Sequence, residues 1–168
     1  MQNLILWRWL QAISFQAVWL CCVLGSNEWL AITCLILLGH YMLTPSFKSD
    51  VMVLPLGVLG IVIDMLFTKM GLFVFDSWPF WLLALWVAFV LNFGHSLVFL
   101  RQLKWRWLML IGAMGGSYAY WISWYLGAVI WPLGPLVTTL IIAVTWAFLM
   151  PLLVRGDTLI RQKAYAQT

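Results

Sequence analysis

Phe80-Trp81-Leu82-Leu83-Ala84-Leu85-Trp86-Val87-Ala88-Phe89-Val90-Leu91-Asn92-Phe93-Gly94-His95-Ser96-Leu97-Val98-Phe99-Leu100 runs for twenty-one residues without a charge. At about 1.5 Å of rise per residue, a helix over this stretch covers the roughly 30 Å of hydrocarbon in a bilayer. Asn92, His95 and Ser96 fall at i, i+3 and i+4, which on a helix makes one polar face near one end. The remainder of the stretch has no polar face of the kind a soluble surface helix needs. The stretch therefore reads as a membrane span.

The rest of the chain repeats that pattern. Of its 168 residues 65% are hydrophobic and 8% charged, against about 45–50% and 25% in soluble domains. The mean hydropathy is +1.00. A soluble globule, a disordered chain and a disulfide-stapled secreted module are all excluded by this composition. Apolar runs broken at Gly, Pro, Asn, Ser and charged residues predict six helices, at about 4–24, 29–43, 51–67, 80–100, 107–130 and 136–154. The expectation is an all-α, polytopic transmembrane bundle of about six helices in a single domain, 1–168, ending in a polar, frayed tail over 155–168. There is no basic run ahead of the first apolar stretch, so it reads as a retained helix and not as a signal peptide.

Basic residues set the orientation, because basic loops resist translocation. With six crossings, Arg8, Lys48, Arg101, Lys104, Arg106, Arg155, Arg161 and Lys163 share one side and Lys69 alone occupies the other. Both termini are thus expected in the cytoplasm. The same asymmetry accounts for the net charge of +4 without a nucleic-acid partner, for which no module has room. Many of the 13 Trp residues lie at segment ends (Trp7, Trp9, Trp29, Trp78, Trp81, Trp105, Trp107 and Trp131), where an aromatic belt is expected.

Polar groups inside the segments are costly in lipid, so they are where function is sought. Asp64 stands first. It shares a helical stripe with Gly57 and Gly60, small residues that let a neighbouring helix approach the carboxylate. It reads either as a proton- or cation-handling group or an acid in a membrane-embedded site, or as a carboxylate that is hydrated near the outer interface or bonded for structure to a Tyr or Trp of a partner helix. His40, on a stripe with Thr33, Leu37 and Thr44, is expected at the same depth as His95. Such a pair can share a proton path, a ligand pocket or a metal, or can simply tie helices together. A metal is not expected, since no segment carries His-x-x-x-His and a site would have to borrow from Asn92, Gln11 or Ser14. Gln16 points away from the face shared by Gln11 and Ser14. Gly112, Gly116, Ala119, Ser123 and Gly127 recur at spacings of four, three, four and four, a small-residue stripe that predicts close packing. A break at Gly115-Gly116 is the alternative. Cys21, Cys22 and Cys34 form no disulfide framework and read as small hydrophobes. No phosphate loop, Ser-His-Asp arrangement or paired carboxylates within a segment are present, and no cofactor is expected.

The chain resembles a family of small bacterial inner-membrane proteins of unknown function, domain-of-unknown-function family 2878. The resemblance covers nearly the full length. It rests on Asn3 with Phe15-Gln16 and Trp19; Gly60-Ile61-Val62-Ile63-Asp64; Trp81-Leu82-Leu83-Ala84-Leu85-Trp86 with Asn92 and His95-Ser96; and Gly112-Ala113, Gly115-Gly116 and Leu126-Gly127-Ala128-Val129. Ser117 stands where the family pattern carries Pro. The resemblance implies a multi-pass protein of the bacterial inner membrane and an association with membrane-lipid modification, but no activity. The function expected from the residues is binding, or assisting the modification of, a lipid or other hydrophobic small molecule, in a pocket of the third, fourth and fifth segments with Asp64, Asn92 and His95 as its polar groups. The alternatives are a small proton-coupled transporter, disfavoured by the missing inverted repeat, and a non-catalytic subunit partnering another membrane protein.

Overall fold

In a computed structural model of the chain, residues 2–166 are described, and side chains for 4–164 and 166. The side chain of Asn3 lies outside the described residues. The elements are α1 (Gln2–Gly25), α2 (Leu30–Leu43), α3 (Phe47–Met52), α4 (Leu54–Lys69), α5 (Phe80–Asn92), a 3-10 helix (Val98–Gln102), α6 (Trp105–Tyr125) and α7 (Gly134–Tyr165). Helices α3 and α4 follow one another through Val53 as one apolar segment, Phe47–Lys69, so the six expected segments are present. Among the described residues the only strand-like pairing is an isolated bridge between Val74 and Ile130, which ties the connection after α4 to the one after α6.

Three segments are long and apolar enough to cross a membrane: Leu4–Gly25, Phe47–Lys69 and Gly134–Ala164. They mark the chain as a membrane protein. Helices α2 and α5 are apolar but have 14 and 13 residues, only about 20 Å of rise. Helix α5 is the hub, packed against α1, α2 and α4, while α6 pairs along its length with α7. Asn27, in the turn after α1, accepts from the Trp81 backbone N–H and so satisfies a free donor at the start of α5.

The fourth segment departs from the sequence reading. The helix stops at Asn92, and residues 93–97 form a turn that leads into the 3-10 helix. Local polar groups take over the backbone there. The Asn92 side-chain amide donates to the Ala88 carbonyl at 2.8 Å, the Asn92 carbonyl accepts from the N–H groups of His95 and Leu97, and the Ser96 hydroxyl donates to the Asn92 side chain. Such bonds compete with helix propagation. Asn92, His95 and Ser96 therefore do not form one helical face.

Helix α6 is unbroken through Gly115-Gly116. Gly112 and Gly116 face α7, where a Cβ on Gly112 would lie 2.3 Å from the Trp146 carbonyl oxygen and one on Gly116 2.2 Å from the Trp146 ring. Gly127 does not belong to this stripe. It lies beyond the helix end with φ +83°, in open space, so its role is the turn and not helix packing. On α4, Gly57 and Gly60 both face Trp86, whose ring would lie 2.3 Å from a Cβ at Gly60.

Of the expected frayed tail, 155–165 is instead the last three turns of α7, and 167–168 lie outside the described residues. Asp157, Arg161 and Ala164 are buried, and a 32-residue helix rises about 48 Å, well beyond the hydrocarbon thickness. Its C-terminal part is thus free to pack on α3 and the 3-10 helix. The aromatic belt also needs correction. Trp9, Trp29, Trp78, Trp105 and Trp107 are exposed as anchors should be, but Trp81 and Trp131 are buried and Trp7 is drawn into the interior by a hydrogen bond described below.

Candidate functional site

Asp50 is the centre of a buried polar cluster at the end of the bundle where α1, α2, α3, α7 and the turn after α5 meet. Five side chains converge on its carboxylate. His40 Nε2 lies 3.3 Å from Oδ2, His95 Nε2 3.1 Å from both oxygens, and Arg161 Nη1 2.7 Å from Oδ1. The hydroxyls of Thr44 and Ser46 donate to Oδ2. Arg161 continues the network, its Nε donating at 2.7 Å to Asp157, which also receives Arg101 at 2.6 Å. Asp50 and Asp157 are fully buried and Arg161 is 3% exposed. Burial of two carboxylates is sustained because the Arg161 guanidinium is buried between them and Arg101, its side chain 24% exposed, pairs with Asp157 from the edge. Arg161 lies directly over Gly94, where a Cβ would fall 2.1 Å from Cζ; Nη2 of Arg161 is buried without a partner among the described residues.

The histidines have distinct outer partners. Trp7 Nε1 donates to His95 Nδ1 at 2.9 Å, and His40 Nδ1 lies 2.9 Å from Gln11 Oε1. The two imidazole rings are 5.3 Å apart, centroid to centroid.

One donor atom from each of His40, Asp50 and His95 lies within 4.8 Å of the others, a grouping that invites a metal. The chemistry of the partners opposes it. Indole N–H only donates, so His95 Nδ1 is a lone-pair acceptor and its proton sits on Nε2, the atom a metal would need bare. The Arg161 guanidinium on Asp50 places a positive charge where a cation would have to bind. What the cluster contains is a continuous network of hydrogen bonds and ion pairs from Trp7 and Gln11 through the histidines to Asp50, Arg161 and Asp157.

Asp64 lies apart from this cluster, in α4. It is 1% exposed and receives Trp86 Nε1 at 2.6 Å on one oxygen and the Tyr120 hydroxyl at 2.6 Å on the other. It thereby clamps α5 and α6 onto α4. Both of its bonds come from neutral donors, which is the structural arrangement the sequence admits for it.

Trp86 and Tyr120 form part of the wall of the third feature, a cavity of about 520 Å³ lying between α1 and α5 on one side and α6 and α7 on the other. The lining is aromatic and aliphatic. Phe89, Ile111 and Trp146 are representative, with Trp86 and Trp146 stacked at 5.6 Å. Of its polar members, Tyr120 is committed to Asp64 and Ser123 donates to the Ala119 carbonyl; Gln16 and Tyr118 are exposed at the rim.

The residues read from the sequence thus separate into three groups. His40 and His95 meet, Asp64 stands alone behind the cavity wall, and Gln16 lies on the cavity. Asn92 and Ser96 shape the turn that carries His95. The expected pocket of the third, fourth and fifth segments with Asp64, Asn92 and His95 as its polar groups is not what forms, since none of those three lines the cavity and α1 and α7 do. Asp50, Asp157, Arg101, Arg161 and Trp7 went unrecognised as members of a site. Asp157 and Arg161 at i, i+4 carried a helical ion-pair signal, and Asp50 is one of only five acidic residues in the chain.

The model of a family described as "Protein of unknown function (DUF2878)" matches residues 8–152. No curated protein and no solved structure matches the chain.

Proposed function

We propose that this chain, which belongs to the DUF2878 family of proteins of unknown function, binds the hydrocarbon portion of a lipid in the cavity between α1, α5, α6 and α7, as a multi-pass protein of the bacterial inner membrane with both termini in the cytoplasm. The observation that carries this reading is the cavity. Its volume falls within the roughly 300–1,000 Å³ of small-molecule sites, its walls offer almost no unsatisfied polar group, and exposed Phe99 and Tyr118 stand at its rim. An apolar occupant loses nothing by entering, whereas a polar solute would leave its hydrogen bonds unmet.

Gln16 and Tyr118 are the groups available to a lipid's polar portion. Loading from the bilayer is sterically natural, because the cavity lies between two packed groups of helices and not within one.

Photoactivatable phospholipid, incorporated into nanodiscs with the purified chain, tests the proposal by mapping where the crosslinks fall. They are expected on α1 and α6 residues of the cavity and to be lost in Ala119→Trp and Ile111→Trp, which fill it, while Leu35→Trp on the exposed face of α2 leaves them intact. Crosslinks spread evenly over all exposed apolar residues, unchanged by filling the cavity, would sink the reading.

A further inference from the structure

The cluster around Asp50 holds two histidines that differ in what their neighbours permit. His95 Nδ1 receives the Trp7 indole N–H, and an indole can only donate. With Nδ1 occupied as an acceptor, His95 carries its single proton on Nε2, directed at Asp50. A second proton on His95 would confront the Trp7 N–H.

His40 is placed differently. Nε2 faces the Asp50 carboxylate, an acceptor, and Nδ1 faces the side-chain amide of Gln11. A glutamine amide presents either a carbonyl oxygen or an NH2 group, depending on which way it is turned. With the oxygen forward it accepts from a doubly protonated imidazole; with the NH2 forward it donates to a neutral one. Gln11 serves both protonation states of His40, and Trp7 serves only one of His95.

The surroundings are consistent with a site that changes charge. Tyr41 meets His40 edge-on from its own helix at 5.3 Å. Asp50 faces it from α3, His95 from the turn after α5, and Arg161 with Asp157 stand behind Asp50 from α7. Helix α1 contributes neutral Trp7 and Gln11, its Arg8 being exposed. The carboxylates of Asp50 and Asp157 balance the guanidinium groups of Arg101 and Arg161, so His40 decides whether the cluster is neutral or carries one positive charge. Beside it lies a void of about 10 Å³ bordered by Gln11, Ser14, His40 and Asn92, at the lower limit of room for one water with polar partners.

We propose that this cluster is a proton-binding site in which His40 takes up and releases the proton while Trp7 holds His95 neutral. The assignment stands whether or not the cavity holds a lipid.

The chain contains only two histidines, so selective 15N-histidine labelling gives two imidazoles and a direct readout. Spectra of the full chain in nanodiscs are recorded from about pH 8 to 5, the range in which imidazole ordinarily changes charge. His40→Gln and His95→Gln assign the signals; with 15N-tryptophan added to the label, coupling across the Trp7 hydrogen bond identifies His95 without any substitution. One imidazole is expected to keep a bare Nδ1 and a protonated Nε2 throughout, and the other to pass from one bound proton to two. In Trp7→Phe, His95 is expected to gain the second proton as well. Uptake by His95 in the unsubstituted chain, a His40 that never changes state, or a Trp7→Phe spectrum with His95 still fixed would each overturn the proposal. So would broadening of both imidazoles by added Zn²⁺ at pH 8, which would make the cluster a metal site.

Discussion

Gly112→Ala and Gly115→Ala place the same methyl group on adjacent turns of α6 and are expected to act oppositely. At Gly112 the new Cβ would stand 2.3 Å from the Trp146 carbonyl oxygen and 2.5 Å from Met150 Cβ, whereas at Gly115 it meets nothing within 4 Å. The Trp146 carbonyl is backbone inside α7 and cannot rotate away. Restoring ordinary contact requires α6 and α7 to part by roughly 1 Å, enough to forfeit a quarter to a half of the dispersion attraction across the gap. Overpacking of this kind costs about 1–3 kcal/mol. In a bilayer that loss is felt directly, since helix association there depends on packing and not on a hydrophobic driving force. Both variants gain the same helix propensity, up to about 1 kcal/mol for alanine over glycine, so Gly115→Ala is the internal control and the difference isolates the clash. Thermal unfolding in one detergent should show Gly112→Ala lowered and Gly115→Ala equal to or above the parent chain. Equal midpoints for the two variants would refute the close approach of α6 to α7.

Arg161→Met removes the cation shared by Asp50 and Asp157 and should cost about 3–5 kcal/mol, the range for leaving a buried charge without its partner; adding Asp50→Asn should recover part of it, and a double variant no more stable than the single one would contradict the network. Asp64→Leu strands the Trp86 and Tyr120 donors and should cost about 1–3 kcal/mol for each, whereas Asp64→Asn, whose amide can still accept one bond and donate to the phenol oxygen, should lose much less in the same thermal assay. Gly127→Ala forces a side chain into a left-handed conformation at φ +83° and should destabilise by about 1–2 kcal/mol although the space around it is open; an unchanged midpoint would mean the turn adapts.

Helix number and class were legible because lipid leaves so little freedom: apolar length and backbone satisfaction leave a helical bundle as the answer for this composition. The small-residue spacing on α6 was legible for the same reason at Gly112 and Gly116, which meet α7 closely, whereas Ala119 and Ser123 line the cavity and Gly127 lies past the helix end, because periodicity says nothing about where a helix stops. Asn92, His95 and Ser96 kept helical spacing in sequence while the Asn92 side chain bonded to the Ala88 carbonyl and the Ser96 hydroxyl to Asn92, and the helix ended there. Asp157 and Arg161 were hidden by an assumption about polarity. Charges after the last apolar run read as a solvated tail, yet α7 is long enough to carry Arg161 to Asp50 of α3 and Asp157 to Arg101 of the 3-10 helix.

Asp50 and Asp64 show why a buried carboxylate does not by itself mark a binding site. Asp50 sits at the end of the bundle against one arginine and two histidines; Asp64 sits within α4 with only an indole and a phenol. The first arrangement sets two imidazoles against a carboxylate that a guanidinium already pairs, and the second sets a carboxyl group between two neutral donors whose rings it holds in place. Those rings are Trp86 and Tyr120, which are also cavity wall. Asp64 therefore influences anything bound in the cavity through the position of its aromatic wall and not by touching the occupant. Lipid crosslinking and thermal stability should consequently fall together in Asp64→Leu and recover together in Asp64→Asn. Substitutions at His40 should leave the crosslinks in place, because neither His40 nor Asp50 borders the cavity. A His40→Gln chain that folds but loses its lipid crosslinks would join the two sites and contradict this separation.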